Sequence, residues 1–326
     1  MEKTLNKIKI STVTPIGVHG IYKNRIKELP KLLDGLINQS LNSNEYEIIL
    51  VSEKGDKFTP KFLKNYLKLK SPKINFYTVD SLRAGPKRNY GAKMAKADIV
   101  LFIDDDMVAD KDMLKEHLSF HKKYEGSVLG FFNSVMIDKT VKNRKEKVFL
   151  EFLEETSDQN LFEGKTGEKL DFKFFYTGNV SVRRSVFLKI GGFDEGFKFY
   201  GVEDIDLGYR LEIENEPLYF NKKARSTHLY TPSLADYLRK KVNAGYSLGY
   251  FVDKYRHLHY LFFLVPNLLF EEALKKIYYS LASLFSKNAL KKYIAASLRL
   301  NYIKGYFKYM GETRNEREKK EGNFLA

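Results

Sequence analysis

Three adjacent carboxylates, Asp104-Asp105-Asp106, follow directly on five apolar residues, Ile99 to Ile103. That run is too short for a free-standing helix. Its β-branched and aromatic types suit a strand buried on both faces of a parallel sheet. Adjacent like charges repel, and a divalent ion such as Mg²⁺ or Mn²⁺ removes the penalty by taking carboxylate oxygens as ligands. In open α/β sheets ligands bind beyond the carboxyl ends of the strands, where these acids would sit. The alternative is a solvated acidic turn leading into a helix near Asp110 or Asp112. Two other groups could do chemistry. Pro86 is placed to open a helix, which sets Lys87 and Arg88 in a first turn, against the helix dipole. Such a misfit suits a diphosphate, or else a solvated basic loop. Glu203-Asp204 opens a segment with Leu207 and Leu211 at i, i+4 spacing. Acids there are favoured by the dipole alone, so the pair is either a helix start or a working site.

The elements that must position these groups are legible between residues 8 and 133. Candidate strands are Ile8–Val13, Glu47–Val51, Ile74–Val79, Ile99–Ile103 and Val128–Phe132. Helical patterns lie near Ile26–Asn38, Pro60–Leu69, Pro86–Ala95 and Lys111–Tyr124. This alternation argues for a parallel sheet with right-handed crossovers. Strand ends are polar: Thr14-Pro15-Ile16-Gly17, Ser52-Glu53-Lys54-Gly55-Asp56, and Arg83 to Asn89. Gly17 and Gly20 match neither standard phosphate-binding loop. Residues 134–172 are charged and uneven, which reads as a mobile or acceptor-facing insertion. Ser185–Ile190 is a short helix ending on Gly191, and Ala224–Thr227 is a strand leading to His228. From Ser233 the chain reads as helical.

At 326 residues the chain can hold one large α/β domain with an appendage, or two small domains. The absence of cysteine excludes disulfides, thiolate metal sites and a cysteine nucleophile. No apolar run marks a signal peptide at the N-terminus. The longest uncharged apolar run, Tyr260 to Phe270, is too short to span a bilayer and contains Pro266. A cytoplasmic location follows as the expectation, peripheral on the inner face of the cell membrane if the C-terminal helices bind there. The net charge of +15 is uneven: from Tyr255 onward 13 Lys/Arg face 6 Asp/Glu. Such a balance predicts an anionic partner.

The order of pieces resembles the GT-A nucleotide-binding domain of glycosyltransferase family 2. They are a Pro-containing first strand end, an acidic second strand end, Gly85-Pro86-Lys87-Arg88-Asn89-Tyr90-Gly91, and the Asp-x-Asp of Asp104-Asp105-Asp106. Further on, Thr177-Gly178-Asn179, then Gly191-Gly192-Phe193-Asp194-Glu195, then Gly201-Val202-Glu203-Asp204-Ile205-Asp206-Leu207-Gly208-Tyr209-Arg210 resemble the family's acceptor-side motif. The resemblance covers about residues 8–250 and implies a Rossmann-like, mostly parallel α/β fold with a helical C-terminal extension. It implies donor contacts from Pro15, Glu53 (toward the base), Lys87, Arg88, Asn89, Asp104 and Asp105. It implies Mn²⁺ or Mg²⁺ on Asp104, Asp106 and His228, with Asp204 as general base. Acceptor contacts would come from Glu203, Thr177, Gly178 and Asn179. Two departures stand out: Ile16–Ile21 looks like an insertion, and the usual paired Asp after strand two is Ser52-Glu53. The family often has Trp where this chain has Val202, which leaves Phe199 or Tyr200 to stack on a sugar.

The domains expected are a catalytic domain over 1–232, divided near 133 into nucleotide-sugar and acceptor halves, a basic amphipathic extension over 233–311, and a charged, disordered tail over 312–326. In the extension Leu274, Ile277, Tyr278, Leu281, Leu284 and Phe285 recur at helical spacing. Ala273 to Gly311 holds eight Lys/Arg and no acid. This stripe suits an anionic bilayer, at about 1 kcal/mol per cation near the surface, or a face packed on the catalytic domain. The expected partners are a nucleotide-diphosphate sugar, with UDP favoured, a saccharide or lipid-linked saccharide acceptor, and an anionic membrane surface through 255–311, with no nucleic acid. Rivals are a nucleotidyltransferase, which lacks its glycine loop here, and a haloacid-type phosphatase, which needs Thr where Val108 stands. A third is a basic membrane- or nucleic-acid-binding protein on a degenerate GT-A fold.

Overall fold

The structure is a computed structural model that describes residues 7–17, 27–64, 66–68, 72–133, 141–156, 166–229, 231–258 and 266–324. In chain order the first elements are β1 (Ile10–Pro15), α1 (Leu29–Ile37), β2 (Tyr46–Glu53), α2 (Thr59–Leu63), β3 (Lys73–Val79) and α3 (Ala84–Met94). Next come β4 (Ile99–Ile103), β5 (Met107–Ala109), α4 (Met113–Lys123), β6 (Ser127–Asn133), α5 (Arg144–Glu155), β7 (Lys169–Leu170), β8 (Asn179–Arg183) and α6 (Arg184–Lys189). The last are α7 (Glu203–Ile213), β9 (Leu218–His228), α8 (Leu234–Lys254), α9 (Pro266–Ala282) and α10 (Lys287–Phe324). The expected insertion at Ile16–Ile21 lies mostly outside the described residues.

Two compact units divide the chain. The first comprises Met1–Met136, Ser157–Glu195 and Asp204–Tyr230; the second comprises Ile137–Thr156, Gly196–Glu203 and Thr231–Ala326. The helix α5 and the turn before α7 thus belong with the C-terminal helices.

In the first unit the strands run in the order β3-β2-β1-β4-β8-β6-β9-β5, with β7 also on β9. The pairs β3-β2, β2-β1 and β1-β4 are parallel, as the strand-helix alternation requires. Beyond β4 the topology departs from an all-parallel sheet. The strand β8 inserts antiparallel between β4 and β6, and β5 pairs antiparallel with β9. The sequence reading did not assign β8, β5 or β7 as strands: β5 and β7 are only three and two residues long, and the polar-apolar alternation of Asn179–Arg183 in β8 was passed over. Burial on both faces is visible along β4. Val100 and Phe102 join one core with Phe187 and Phe193, while Leu101 and Ile103 join another with Leu32, Leu33 and Leu36 of α1. Truncating Phe102, buried against the Phe187 and Phe193 rings, removes contacts that cost about 3–5 kcal/mol.

The second unit is built on α8 and α10. Ser233 caps α8: its hydroxyl accepts from the Asp236 amide at 3.1 Å. The two helices approach through glycines, since a Cβ on Gly245 would land on the Tyr302 carbonyl and one on Gly305 on the Val242 carbonyl. Gly245→Ala should therefore destabilise the unit by about 1–3 kcal/mol, seen as a lower thermal midpoint. Gly311→Ala has open space around it and should stabilise α10 by about 0.5–1 kcal/mol. The described backbone of α10 continues as helix to Phe324, within the stretch 312–326 expected as a charged tail. Glu, Lys and Arg are good helix formers, and Lys308 and Glu312 sit 4.0 Å apart at i, i+4.

Candidate active site

The carboxyl ends of β1, β2 and β4 converge with α3. The three adjacent acids do not share one partner. Asp104 Oδ1 accepts from Arg88 Nη2 at 2.6 Å, Asp105 Oδ2 accepts from the Gly17 amide at 3.0 Å, and Asp106 Oδ2 lies 3.2 Å from His228 Nε2. Fanning the side chains to a guanidinium, an amide and an imidazole relieves the like-charge repulsion that the sequence alone assigned to a metal. Met107 and His228 are register partners of β5 and β9, and the Leu229 amide donates to the Asp106 carbonyl at 2.8 Å, so the strand pairing itself sets the Asp106–His228 pair.

Lys87 and Arg88 are buried rather than solvated. The helix α3 begins at Ala84, two residues before Pro86, which carries the two cations past its first turn and under the strand ends. Lys87 pairs with the buried Glu53 and donates to the Ile16 carbonyl at 2.6 Å. The segment after β1 is thus held from both sides, at the Ile16 carbonyl by Lys87 and at the Gly17 amide by Asp105. Pro15, the last residue of β1, is buried in register with Val51. The Arg88 guanidinium lies over the Phe193 ring, 5.4 Å from its centroid.

Asn89, expected to contact the donor, is tied into the loop after α6. Its Nδ2 donates to the Phe193 carbonyl at 2.9 Å and to Glu195 Oε1 at 3.0 Å, and its Oδ1 accepts from the Phe193 amide at 2.7 Å. Gly192 turns at φ +68° against this amide, where a Cβ would strike Asn89 Oδ1. The Gly-Gly-Phe motif is therefore the socket for Asn89, and Asn89 positions the helix that carries Lys87 and Arg88.

Asn179, expected on the acceptor side, is drawn inside. It is fully buried, its Nδ2 donating to the Ala224 carbonyl at 2.9 Å and its Oδ1 meeting His117 Nε2 at 2.8 Å. Because Oδ1 only accepts, His117 carries its proton on Nε2, and Nδ1 accepts from the Ser181 hydroxyl at 2.8 Å. His121 Nε2 then donates to the same hydroxyl oxygen, also at 2.8 Å. Thr177 is buried and Gly178 half-buried beside this network.

Burial pushes the His117 imidazole down to about 4, against a small opposing contribution from Asn179. Burial, then His117 and Arg183, push His121 down to about 3. Both fold as neutral rings, so their stabilisation is complete above the unfolded value near 6.5 and is lost as the pH falls from there toward 4. For His117 alone this amounts to roughly 3 kcal/mol. Urea midpoints measured from pH 7 to pH 4.5 should fall in the parent protein. The His117→Gln, His121→Gln pair should show a shallower fall.

On the acceptor side, Asp204 is half-buried at the second position of α7, its Oδ1 accepting from the Ile205 amide at 3.0 Å. Glu203 is buried, and its Oε2 accepts from the Gly201 amide at 2.6 Å and the Val202 amide at 3.1 Å, closing the turn that leads into the helix. Val202 is core, whereas Phe199 and Tyr200 are exposed. Sequence reasoning missed Asp56 behind β2. It accepts from the Ser52 hydroxyl at 2.7 Å and from the Phe58 and Thr59 amides at 2.9 and 3.0 Å. Desolvation alone would raise its carboxyl; these hydrogen bonds outweigh it and hold the group below the usual range. The Ser-x-x-x-Asp spacing was the signal.

The signature of glycosyl transferase family 2 matches residues 21–191, more than half of the chain. The chain belongs to glycosyltransferase family 2. A second signature, the N-terminal domain of galactosyltransferase, matches residues 160–231. The uncharacterised glycosyltransferase YfnE of Bacillus subtilis (strain 168) is 25% identical over 266 residues, 69% of this chain and 67% of that protein. The crystal structure of S. aureus TarS 1-349 in complex with UDP superposes with a TM-score of 0.50 at 15% identity, over 93% of this chain and 92% of that one. The crystal structure of GalNAc-T7 with UDP, GalNAc and Mn²⁺ gives a TM-score of 0.51 at 17% identity, over 69% of this chain and 43% of that one. At such identities the two superpositions speak for the GT-A fold alone. Within this family 2 glycosyltransferase, the first signature spans Glu53, Lys87, Arg88 and all three adjacent acids. The second spans Glu203, Asp204 and His228.

Proposed function

We propose that the protein moves a sugar from a nucleotide-diphosphate sugar, with UDP as the favoured nucleotide, to a hydroxyl of a saccharide or lipid-linked saccharide, with inversion and with the help of a divalent ion. The observation that carries this reading is the fan of Asp104, Asp105 and Asp106 beside the buried Lys87 and Arg88 at the carboxyl ends of the strands.

Among the described residues no three His, Cys, Asp or Glu side chains converge as a complete metal cage. A carboxylate and an imidazole in contact do fit Mn²⁺ or Mg²⁺ when phosphate oxygens supply further ligands. Asp106 and His228 would hold the ion, and Asp104 would act through Arg88 rather than as a ligand. An ion held by Asp106 and His228 would supply positive charge to offset that of the departing diphosphate. Arg88 and Lys87 add fixed positive charge under the strand ends. Asp105 and Lys87 hold the Ile16–Gly17 segment, and Glu53 reaches toward the base. Asp204 takes the proton of the acceptor hydroxyl. The acceptor oxygen bonds to the anomeric carbon while the bond from that carbon to the phosphate oxygen breaks, and the nucleoside diphosphate leaves. The TarS 1-349 structure is a complex with UDP and the GalNAc-T7 structure is one with UDP, GalNAc and Mn²⁺, which makes UDP with Mn²⁺ the first pair to try with this chain.

The test is release of nucleoside diphosphate from a panel of nucleotide sugars with saccharide acceptors, with and without Mn²⁺. Turnover of a UDP-sugar that EDTA abolishes is the expected result. No turnover with any donor, alongside tight binding of lipid or nucleic acid, would instead favour a basic binding protein on a degenerate GT-A fold.

A further inference from the structure

The helix α9 is inside out. A repeating apolar stripe on a helix ordinarily faces a core. Here Phe270, Leu274, Ile277, Tyr278 and Leu281, continued by Leu284 and Phe285 in the turn that follows, all face solvent; Leu281 is 75% and Phe285 91% exposed. The side turned inward carries the charged groups instead. Glu272 is 1% exposed and accepts from Lys275 and Arg299, each at 3.0 Å. Lys276 lies over the Tyr293 ring and Lys292 over Tyr279. Polar residues thus hold α9 on α10, and the apolar face is left for something else. An exposed apolar patch of this size on a described surface marks a docking site.

Charge decides the occupant. Counting the acids that pair with its cations, such as Glu151 with Lys287 and Glu155 with Lys291, the second unit holds 23 Lys/Arg against 14 Asp/Glu, a net of +9 on a chain of +15. A second copy would bring two such basic surfaces together, whereas an anionic bilayer attracts them and takes up the apolar stripe. No described helix is long and apolar enough to cross a membrane, so the contact is one of lying on the surface. We infer that the Phe270–Phe285 face is a membrane-docking surface that seats in the headgroup region of an anionic bilayer.

The chain has no tryptophan, which gives a clean reporter. Leu281→Trp should shift its fluorescence to the blue on phosphatidylcholine vesicles containing phosphatidylglycerol. Phe58→Trp, exposed in the first unit, should not. Phosphatidylcholine alone should bind much less, and high salt should release the protein. The triple variant Ile277→Ser, Leu281→Ser, Phe285→Ser should lower vesicle partitioning by at least roughly tenfold while leaving the circular dichroism unchanged. The inference is overturned if the full chain ignores phosphatidylglycerol vesicles at low salt, or if the triple variant binds them like the parent. It also goes if light scattering shows a dimer that the triple variant turns into a monomer, since a second copy then covers the face.

Discussion

Asp204→Asn lowers sugar transfer by roughly 10²–10⁴-fold, the usual span for loss of a general base, and leaves donor affinity close to the parent's. The side chain sits half-buried in the first turn of α7, where it accepts from the Ile205 amide at 3.0 Å. Asparagine keeps that acceptor and nearly the same shape, so the fold loses little. What it loses is the basic lone pair needed as the acceptor hydroxyl gives up its proton. An interaction made only in the transition state appears in turnover rather than in ground-state binding. Steady-state rates, with calorimetry of the unhydrolysed donor, separate the two. Glu203→Gln should fail differently. Its Oε2 holds the Gly201 and Val202 amides, so the turn before the helix loosens and acceptor KM rises. If Asp204→Asn transfers sugar at the parent rate, Asp204 is only a helix opener and the base lies elsewhere.

Asp106→Asn removes the dependence of donor binding on Mn²⁺ and lowers turnover by about 10²-fold or more, since charge stabilisation by a bound ion contributes several kcal/mol at the transition state. Asp106 is buried and pairs only 3.2 Å from His228, in a strand pairing that the isosteric change leaves alone. Asp104→Asn serves as the contrast. It takes the carboxylate away from the buried Arg88 and should cost stability first, with metal dependence retained. Calorimetry of UDP with and without Mn²⁺ reads both variants. Binding of UDP that Asp106→Asn leaves unchanged and still sensitive to Mn²⁺ would move the ion away from Asp106.

How much of this was legible follows from what each feature depends on. The strand Ile99–Ile103 was readable to the residue, because five apolar residues between a helix end and three acids leave little choice. In the short strand Asn179–Arg183 the alternation was there to read, but its place between β4 and β6 was not. The acids were found by type, but their separate partners were not. Gly17, Arg88 and His228 lie 88, 16 and 122 positions away, and only the sheet brings them in. Lys87 and Arg88 looked wrong for a helix start, and the misfit was informative. Burial against Glu53 and Asp104 is the reason for it. Asn89 and Asn179 belonged to motifs, and motif membership does not separate a residue that touches a ligand from one that supports the loop beside it. The stripe on α9 had the right period, but period does not say which side faces out.

The most direct test of inverting transfer needs no acceptor. With water in the acceptor's place, a nucleotide sugar that is α-linked to its diphosphate, such as UDP-glucose or its relatives in the donor panel, is followed by proton NMR from the first minutes of slow hydrolysis, before the free sugar mutarotates. The account predicts that the β-anomer appears first, that EDTA stops it, and that Asp204→Asn slows it. An α-anomer appearing first would contradict it, because retention requires a second displacement that a single base at Asp204 does not provide.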